Sequence, residues 1–150
     1  MNDGGTNLME IMEREFTVPA TVESLRDITD CLAELLASAE VPVAEKLQME
    51  IAVEEIFVNI ACYAYKDQQG TVVVRARLEG DPLCVEFVFL DTGEAYNPLT
   101  QGEPDITLSL EDRAIGGLGI FLARKNVDDV GYERRDGKNI LTLRKYLCKA

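Results

Sequence analysis

From Glu10 to Val18 apolar and charged residues alternate, the period of a strand with one face towards a core, and Pro19 ends the run. The period then lengthens. Between Thr21 and Glu40, Leu25, Ile28, Leu32, Leu35 and Leu36 recur at steps of three and four, which predicts an amphipathic helix; Pro42 separates it from a second, running from Val43 to Tyr65. The apolar positions of that second helix encircle most of its surface, so it is expected to be largely buried. Lys66 to Gly70 forms a turn, and Thr71 to Leu78 and Leu83 to Leu90 read as strands joined by a hairpin at Glu79-Gly-Asp-Pro82. Regularity then stops from Asp91 to about Gly117, a stretch too long for an ordinary connection and expected to be a functional lid or disordered. Leu118 to Val127 returns to helix, and Val130 to Arg135 and Asn139 to Leu147 form a last hairpin about Asp136-Gly137. The order β-α-α-β-β-loop-α-β-β predicts an α+β fold with a mostly antiparallel sheet covered by helices on one face.

Composition narrows the partners. The 150 residues suffice for one compact domain, with no break in composition to suggest two, and the polar, glycine-rich N-terminus is expected to fray. A net charge of -12 argues against a general nucleic-acid surface and leaves proteins, or a ligand held by a few local positive groups. Cys31, Cys62, Cys84 and Cys148 have no C-x-x-C spacing and no histidine beside them, so each is expected to be a small buried apolar residue rather than a zinc ligand. No basic-then-apolar leader and no run of about 18 apolar residues occurs, which predicts a soluble, cytoplasmic protein without a membrane role.

Three constellations could carry chemistry. On the second helix Leu47, Ile51, Glu55, Asn59 and Tyr63 stand four apart, so a carboxylate and a carboxamide interrupt an apolar line. The pair suits the solvent edge of an amphipathic helix; the apolar Ile56 to Cys62 around it points instead to a buried carboxylate acting as a general base, with the amide oxygen holding a hard cation such as Mg²⁺. In Phe89 to Pro98, "FLDTGEAYNP", an apolar strand ends in Asp91 with Gly93 two residues on. That places an acceptor for a ligand amino group at a strand tip, with a glycine that lets backbone lie against a flat ring; an Asx-type turn explains the same residues. In Asp112 to Phe121, "DRAIGGLGIF", neither G-x-x-x-x-G-K-[ST] nor a dinucleotide fingerprint fits. Glycines directly before a helix leave unpaired N–H groups for an anion, near Arg113, Arg124 and Lys125; a hinge or close packing would use them equally well.

Taken in order, Glu55-x-x-x-Asn59, Asp91-x-Gly93 with Pro98, and Gly116-Gly117-Leu118-Gly119 resemble the N, G1 and G2 boxes of the GHKL ATPase superfamily. The match runs from about Glu10 to Leu147. Within it, "DTGEAYNP" with its single glycine and "GGLGIFLARKNVDDVGYERRDGKNILTLRK" look most like the anti-sigma-factor serine/threonine protein kinases. Tyr63 stands where these often have histidine, Tyr96-Asn97 where Phe-Asp is common, and Asn139 where the wider superfamily tends to have threonine.

The resemblance implies a two-layer α/β sandwich of the Bergerat type, with a mostly antiparallel mixed sheet and three main helices on one face. A flexible residue range 1–9 would precede one ATP-binding kinase domain over 10–150, with an ATP lid at about 94–117. It further implies that Asp91 meets the adenine amino group above Gly93, that Asn59 holds Mg²⁺, and that Glu55 activates the attacking hydroxyl. Tyr96, Pro98, Gly116, Gly117, Leu118 and Gly119 would complete the ATP site, and Arg113 would reach the terminal phosphate. The function implied is an ATP-dependent serine/threonine kinase and anti-sigma factor of a bacterial partner-switching system, phosphorylating a STAS-type anti-anti-sigma protein, binding a sigma factor and forming a homodimer. A non-catalytic ATP-binding module that sequesters a partner, or a bare ATPase, would use the same boxes.

Overall fold

A computed structural model describes residues 12–65, 68–95 and 117–148, with residues 117–121 described at the level of the backbone. The fraying expected of the N-terminus, and most of the lid, lie outside the described residues. Five strands form one sheet: β1 (Met12–Pro19), β2 (Thr71–Glu79), β3 (Cys84–Asp91), β4 (Asp129–Arg135) and β5 (Lys138–Tyr146). Three helices accompany them: α1 (Leu25–Ala37), α2 (Val43–Tyr63) and α3 (Gly117–Asn126). The sheet order is β1-β2-β3-β5-β4, so β3 is central, and every pairing is antiparallel rather than mixed.

Period-two patterning decides which face of the sheet is covered. Val72, Val74, Ala76 and Leu78 of β2, Val85, Phe87 and Phe89 of β3, and Leu141 and Leu143 of β5 are buried. They meet Ile28, Leu35 and Leu36 of α1 and Met49, Val53, Ile56 and Phe57 of α2 in one core. Phe89 sits between Phe57 and Phe87 with ring centroids 6.3 and 6.1 Å away. Each of these rings contributes about 1.5–3 kcal/mol by leaving water. The opposite face carries charge in register: Glu13 faces Arg77, Arg77 faces Glu86, Glu86 faces Arg144 and Arg144 faces Asp129, alternating in sign across all five strands. Arg77 pairs with Glu13 at 3.4 Å and Arg144 with Glu86, while the neighbouring row adds Arg75 to Glu15 at 2.7 Å. Opposite charges placed directly across a ladder favour this register over a slipped one.

Three expectations are corrected. The first helix begins later than Thr21: Val22–Ser24 is a 3-10 turn, held by the Ser24 hydroxyl donating to the Pro19 carbonyl at 2.7 Å. α2 ends at Tyr63, and it is not buried all round, because Val43, Leu47 and Ile51 are exposed. Steps of four residues advance about 400° around a helix, so the Leu47–Asn59 line drifts by about 120° and only its far end meets the core. Cysteines also differ from expectation: Cys31 is buried, with its thiol pushed up to about 11 chiefly by that burial, whereas Cys62 and Cys148 are exposed and Cys84 is half-buried. Both hairpin turns stand where the glycines put them, at Gly80 with φ +96° and at Asp136-Gly137 with φ 53° and 76°, the pairing of a type I′ turn.

Candidate functional site

Asp91 is the last residue of the central strand and continues the inward row of Val85, Phe87 and Phe89, so its carboxyl group enters the core face at 3% exposure. A carboxylate there needs partners. Its Oδ1 accepts the Gly93 N–H at 2.9 Å, closing the Asx turn that the sequence allowed, and the Asn139 Nδ2 at 2.9 Å. Its Oδ2 has no partner among the described residues. Burial raises the Asp91 pKa above its ordinary value, opposed by the bonds from Asn139 and Gly93 and by the Arg134 charge.

The sheet explains who these partners are. Asn139 on β5 lies directly opposite Asp91 on one side and Arg134 of β4 on the other. Tyr132, two residues from Arg134, is the diagonal neighbour of Asn139 and within reach of it. Its hydroxyl donates to Asn139 Oδ1 at 2.5 Å, while Asn139 Nδ2 also donates to the Glu94 carbonyl at 2.7 Å. Arg134 donates to the Gly93 carbonyl at 2.9 Å. Both N–H groups of the Asn139 amide and one lone pair of its oxygen are thus assigned. Tyr132 and Arg134 were not singled out from the sequence, although the two-residue turn at Asp136-Gly137 fixes Arg134 against Asn139.

Gly93 stands at a tight backbone contact. A Cβ there would lie 2.1 Å from the Ala64 carbonyl oxygen and 2.5 Å from its carbon, so the turn is pressed against the C-terminal end of α2. The Glu94 N–H donates to that same carbonyl at 2.8 Å. Tyr65 ties the junction from the other side: its hydroxyl donates to the Thr71 carbonyl at 2.6 Å and accepts the Thr92 N–H at 2.9 Å. Its ring rests on Gly70, where a Cβ would come within 2.4 Å of three ring carbons. A cavity of about 650 Å³ opens beside the turn, lined by Ala64, Tyr65, Gln68, Gln69, Thr92, Gly93 and Glu94. Asn59 and Asp91 are not among its walls.

On α2 the expected pair separates by environment. Asn59 is buried at 4% exposure and, among the described residues, neither its Oδ1 nor its Nδ2 has a hydrogen-bond partner. Two orphaned polar atoms in one amide cost about 1–3 kcal/mol each, a burden that a ligand would relieve. Glu55, expected to be buried, is partly exposed one turn earlier, between the exposed Ile51 and the buried Asn59. Tyr63 is half-buried. α3 packs against α2, and its first turn comprises Gly117, Leu118 and Gly119, whose N–H groups have no partner within the helix. Tyr96, Pro98, Arg113 and Gly116 lie outside the described residues.

Among the described residues, a central-strand carboxylate with one unpartnered oxygen and an unpartnered amide on the long helix are polar breaks in the core of this α+β module. The chain belongs to the family of histidine kinase-like ATPase domains, whose profile matches residues 18–145. That family uses ATP. The serine-protein kinase RsbW of Bacillus mycoides (strain KBAB4) is 28% identical over 145 residues, covering 93% of this chain and 89% of that protein. The serine/threonine-protein kinase BtrW of Bordetella bronchiseptica is 30% identical over 98 residues, covering 65% of this chain and 68% of that one. The crystal structure of the RsbU and RsbW domains of a Mycobacterium tuberculosis protein superposes with a TM-score of 0.64 at 21% identity, over 93% of this chain and 33% of that one. This chain therefore spans a third of that protein, and the likeness concerns the fold. No helix among the described residues is long and apolar enough to cross a membrane.

Proposed function

We propose that the chain is an ATP-dependent serine/threonine protein kinase and anti-sigma factor of a bacterial partner-switching system. The observation that carries this reading is the buried Asn59 amide with both polar atoms unpartnered, one helical turn from a carboxylate that water and substrate can reach. In this reading Asp91 Oδ2 accepts the adenine amino group, with Oδ1 already occupied by Asn139 and Gly93. The first-turn N–H groups of Gly117, Leu118 and Gly119 hold phosphate oxygens, aided by the helix dipole. Asn59 Oδ1 is the protein's ligand for Mg²⁺, which when bound draws charge from the phosphates. Arg113 serves the terminal phosphate, and Tyr96, Pro98 and Gly116 belong to the same lid.

Glu55 takes the hydroxyl proton of a serine on the substrate protein as that oxygen bonds to the terminal phosphorus. The bond from phosphorus to the oxygen it shares with the middle phosphate breaks, ADP departs, and the proton passes from Glu55 to water. Partial exposure suits this task better than full burial, since an incoming protein segment must reach the carboxylate. The substrate in this reading is an anti-anti-sigma protein of the STAS type, and a sigma factor is held when that antagonist is absent or phosphorylated. Homodimerisation through β1 and α1 belongs to the same proposal, β1 being an edge strand of the sheet.

The test incubates the chain with ATP labelled on its terminal phosphate, Mg²⁺ and a panel of STAS-domain proteins. Label on an antagonist serine is the expected result. In Glu55→Ala transfer falls by a factor of about 10² or more while ATP affinity stays within about twofold. ATP binding without transfer to any antagonist would instead identify a non-catalytic module, and transfer retained in Glu55→Ala would remove the base from the mechanism.

A further inference from the structure

The polar network behind Asp91 contains a hydroxyl that touches neither the proposed nucleotide nor Asp91 itself. Tyr132 donates its hydroxyl to Asn139 Oδ1 at 2.5 Å, and Asn139 in turn donates to Asp91 Oδ1 at 2.9 Å. We propose that Tyr132 is a positioning residue for base recognition, acting through Asn139 to hold Asp91 as an acceptor whose Oδ2 alone faces the ligand. The inference rests on the proposed nucleotide-binding reading and adds to it a side chain on a strand that does not border β3.

The argument is one of donor and acceptor matching. A side-chain amide presents one acceptor and one pair of donors, and only their orientation tells Asp91 what it meets. Asn139 is 3% exposed, so its oxygen cannot turn to water. With Tyr132 donating to Oδ1, the NH₂ group is directed at Asp91 Oδ1 and the Glu94 carbonyl. That arrangement matches an ionised Asp91 and not a protonated one bearing its proton on Oδ1. Without the Tyr132 hydroxyl, Asn139 Oδ1 is left unpaired and only the Glu94 carbonyl still holds the NH₂ group in place, so the amide turns more readily towards a protonated Asp91, whose acid proton satisfies Oδ1. Oδ2, the atom that selects an amino-bearing base, is then the uncharged carbonyl oxygen of an acid over part of the pH range, a weaker acceptor than a carboxylate oxygen. Among the described residues the other charge acting on Asp91 is Arg134 of β4, which stays on the Gly93 carbonyl in either case; β2 contributes Val72 opposite Asp91, which does not titrate.

Tyr132→Phe keeps the ring and removes the hydroxyl. Two measurements decide the proposal: the carbon-13 titration of the Asp91 carboxyl group in the nucleotide-free chain, and ATP and GTP affinities from pH 4.5 to 8. The expected result is an Asp91 midpoint higher by about one pH unit in Tyr132→Phe, with the acid limb of ATP binding moved up to match and the ATP-over-GTP preference reduced about tenfold. If Tyr132 acts through Asn139, Tyr132→Phe changes nothing further in an Asn139→Ala background, whereas two independent structural effects would add. An unchanged Asp91 midpoint, or full additivity, overturns the inference even where ATP binds well. Absence of nucleotide binding by the parent chain overturns the proposed function instead, and the Asp91 titration still decides the role of Tyr132. Should Tyr132→Phe fail to fold, Tyr132→His carries a ring donor on the same strand, and its Asp91 midpoint must fall between those of the parent and Asn139→Ala.

Discussion

Replacing Gly93 by alanine tests why the turn after β3 exists in its present form. The added Cβ would lie 2.1 Å from the Ala64 oxygen, 2.5 Å from its carbonyl carbon and 2.9 Å from its Cβ. Two of those three atoms are backbone at the end of α2, which cannot swing aside as a side chain would. Overpacking of this kind costs about 1–3 kcal/mol. Moving the turn off the helix also breaks the 2.8 Å bond from the Glu94 N–H to Ala64, worth about 0.5–1.5 kcal/mol net. Together these give about 2–4 kcal/mol, which in a domain of this size lowers Tm by about 5–15 °C. Thermal unfolding followed by circular dichroism, with no nucleotide present, is the assay. A Tm within about 2 °C of the parent would refute the reasoning, because the glycine would then be there for a bound ring and only nucleotide affinity should suffer.

Two further substitutions probe the polar groups. Asn59→Leu removes two buried, unpartnered polar atoms at similar volume, so the nucleotide-free chain should gain about 1–2 kcal/mol in urea unfolding while Mg²⁺-dependent ATP binding is lost; a loss of stability would mean the amide is satisfied in the folded chain. Asp91→Asn preserves an Oδ1 for the Gly93 N–H and Asn139 Nδ2 but turns the ligand-facing acceptor into a donor. ATP affinity should fall about 10²-fold or more with the ratio of GTP to ATP binding rising, and unchanged ATP affinity refutes the assignment. The same variant has a pH signature. Because burial raises the Asp91 pKa, the folded chain keeps that proton after the unfolded chain has lost it, so this group makes stability fall as pH rises from its ordinary 3.8 through the raised value. The parent should show that fall relative to Asp91→Asn in urea unfolding between pH 3.5 and 7, and a flat difference would contradict the burial argument.

Much of the fold could be read from periodicity because helix and strand signals here rarely conflict. The β2–β3 and β4–β5 hairpins follow from Gly80 and Asp136-Gly137, and α1 from its three- and four-residue steps. What could not be read is pairing between strands far apart in sequence. Asp91 and Asn139 are 48 residues apart and meet only because β5 enters the sheet beside β3, so their bond, and through it the place of Tyr132, appears only in the folded chain. The same limit explains Gly93: nothing local to "DTGEA" announces that Ala64 presses on it. Burial is expected of Glu55 because apolar residues follow it from Ile56 to Cys62, but around the helix Ile56, Phe57 and Ile60 turn inward while Glu55 stays at the edge of the buried face.

Ser24 closes a turn with a bond of its own to Pro19, but Asp91, Asn139 and Asn59 break the apolar rule where the ends of β3 and β5 meet the second half of α2. Asp91 and Asn139 satisfy each other except at Asp91 Oδ2, and Asn59 is satisfied by nothing among the described residues. Apolar residues in place of Asp91 and Asn139 would strip partners from the Gly93 N–H, the Glu94 carbonyl and the Tyr132 hydroxyl, whereas an apolar residue in place of Asn59 would strip none among the described residues. Asn59 is therefore where stability is given up without a structural return, and in the proposed function it is where the ligand is met. The continuous apolar core and the alternating charges on the outer face of the sheet hold the rest of the fold.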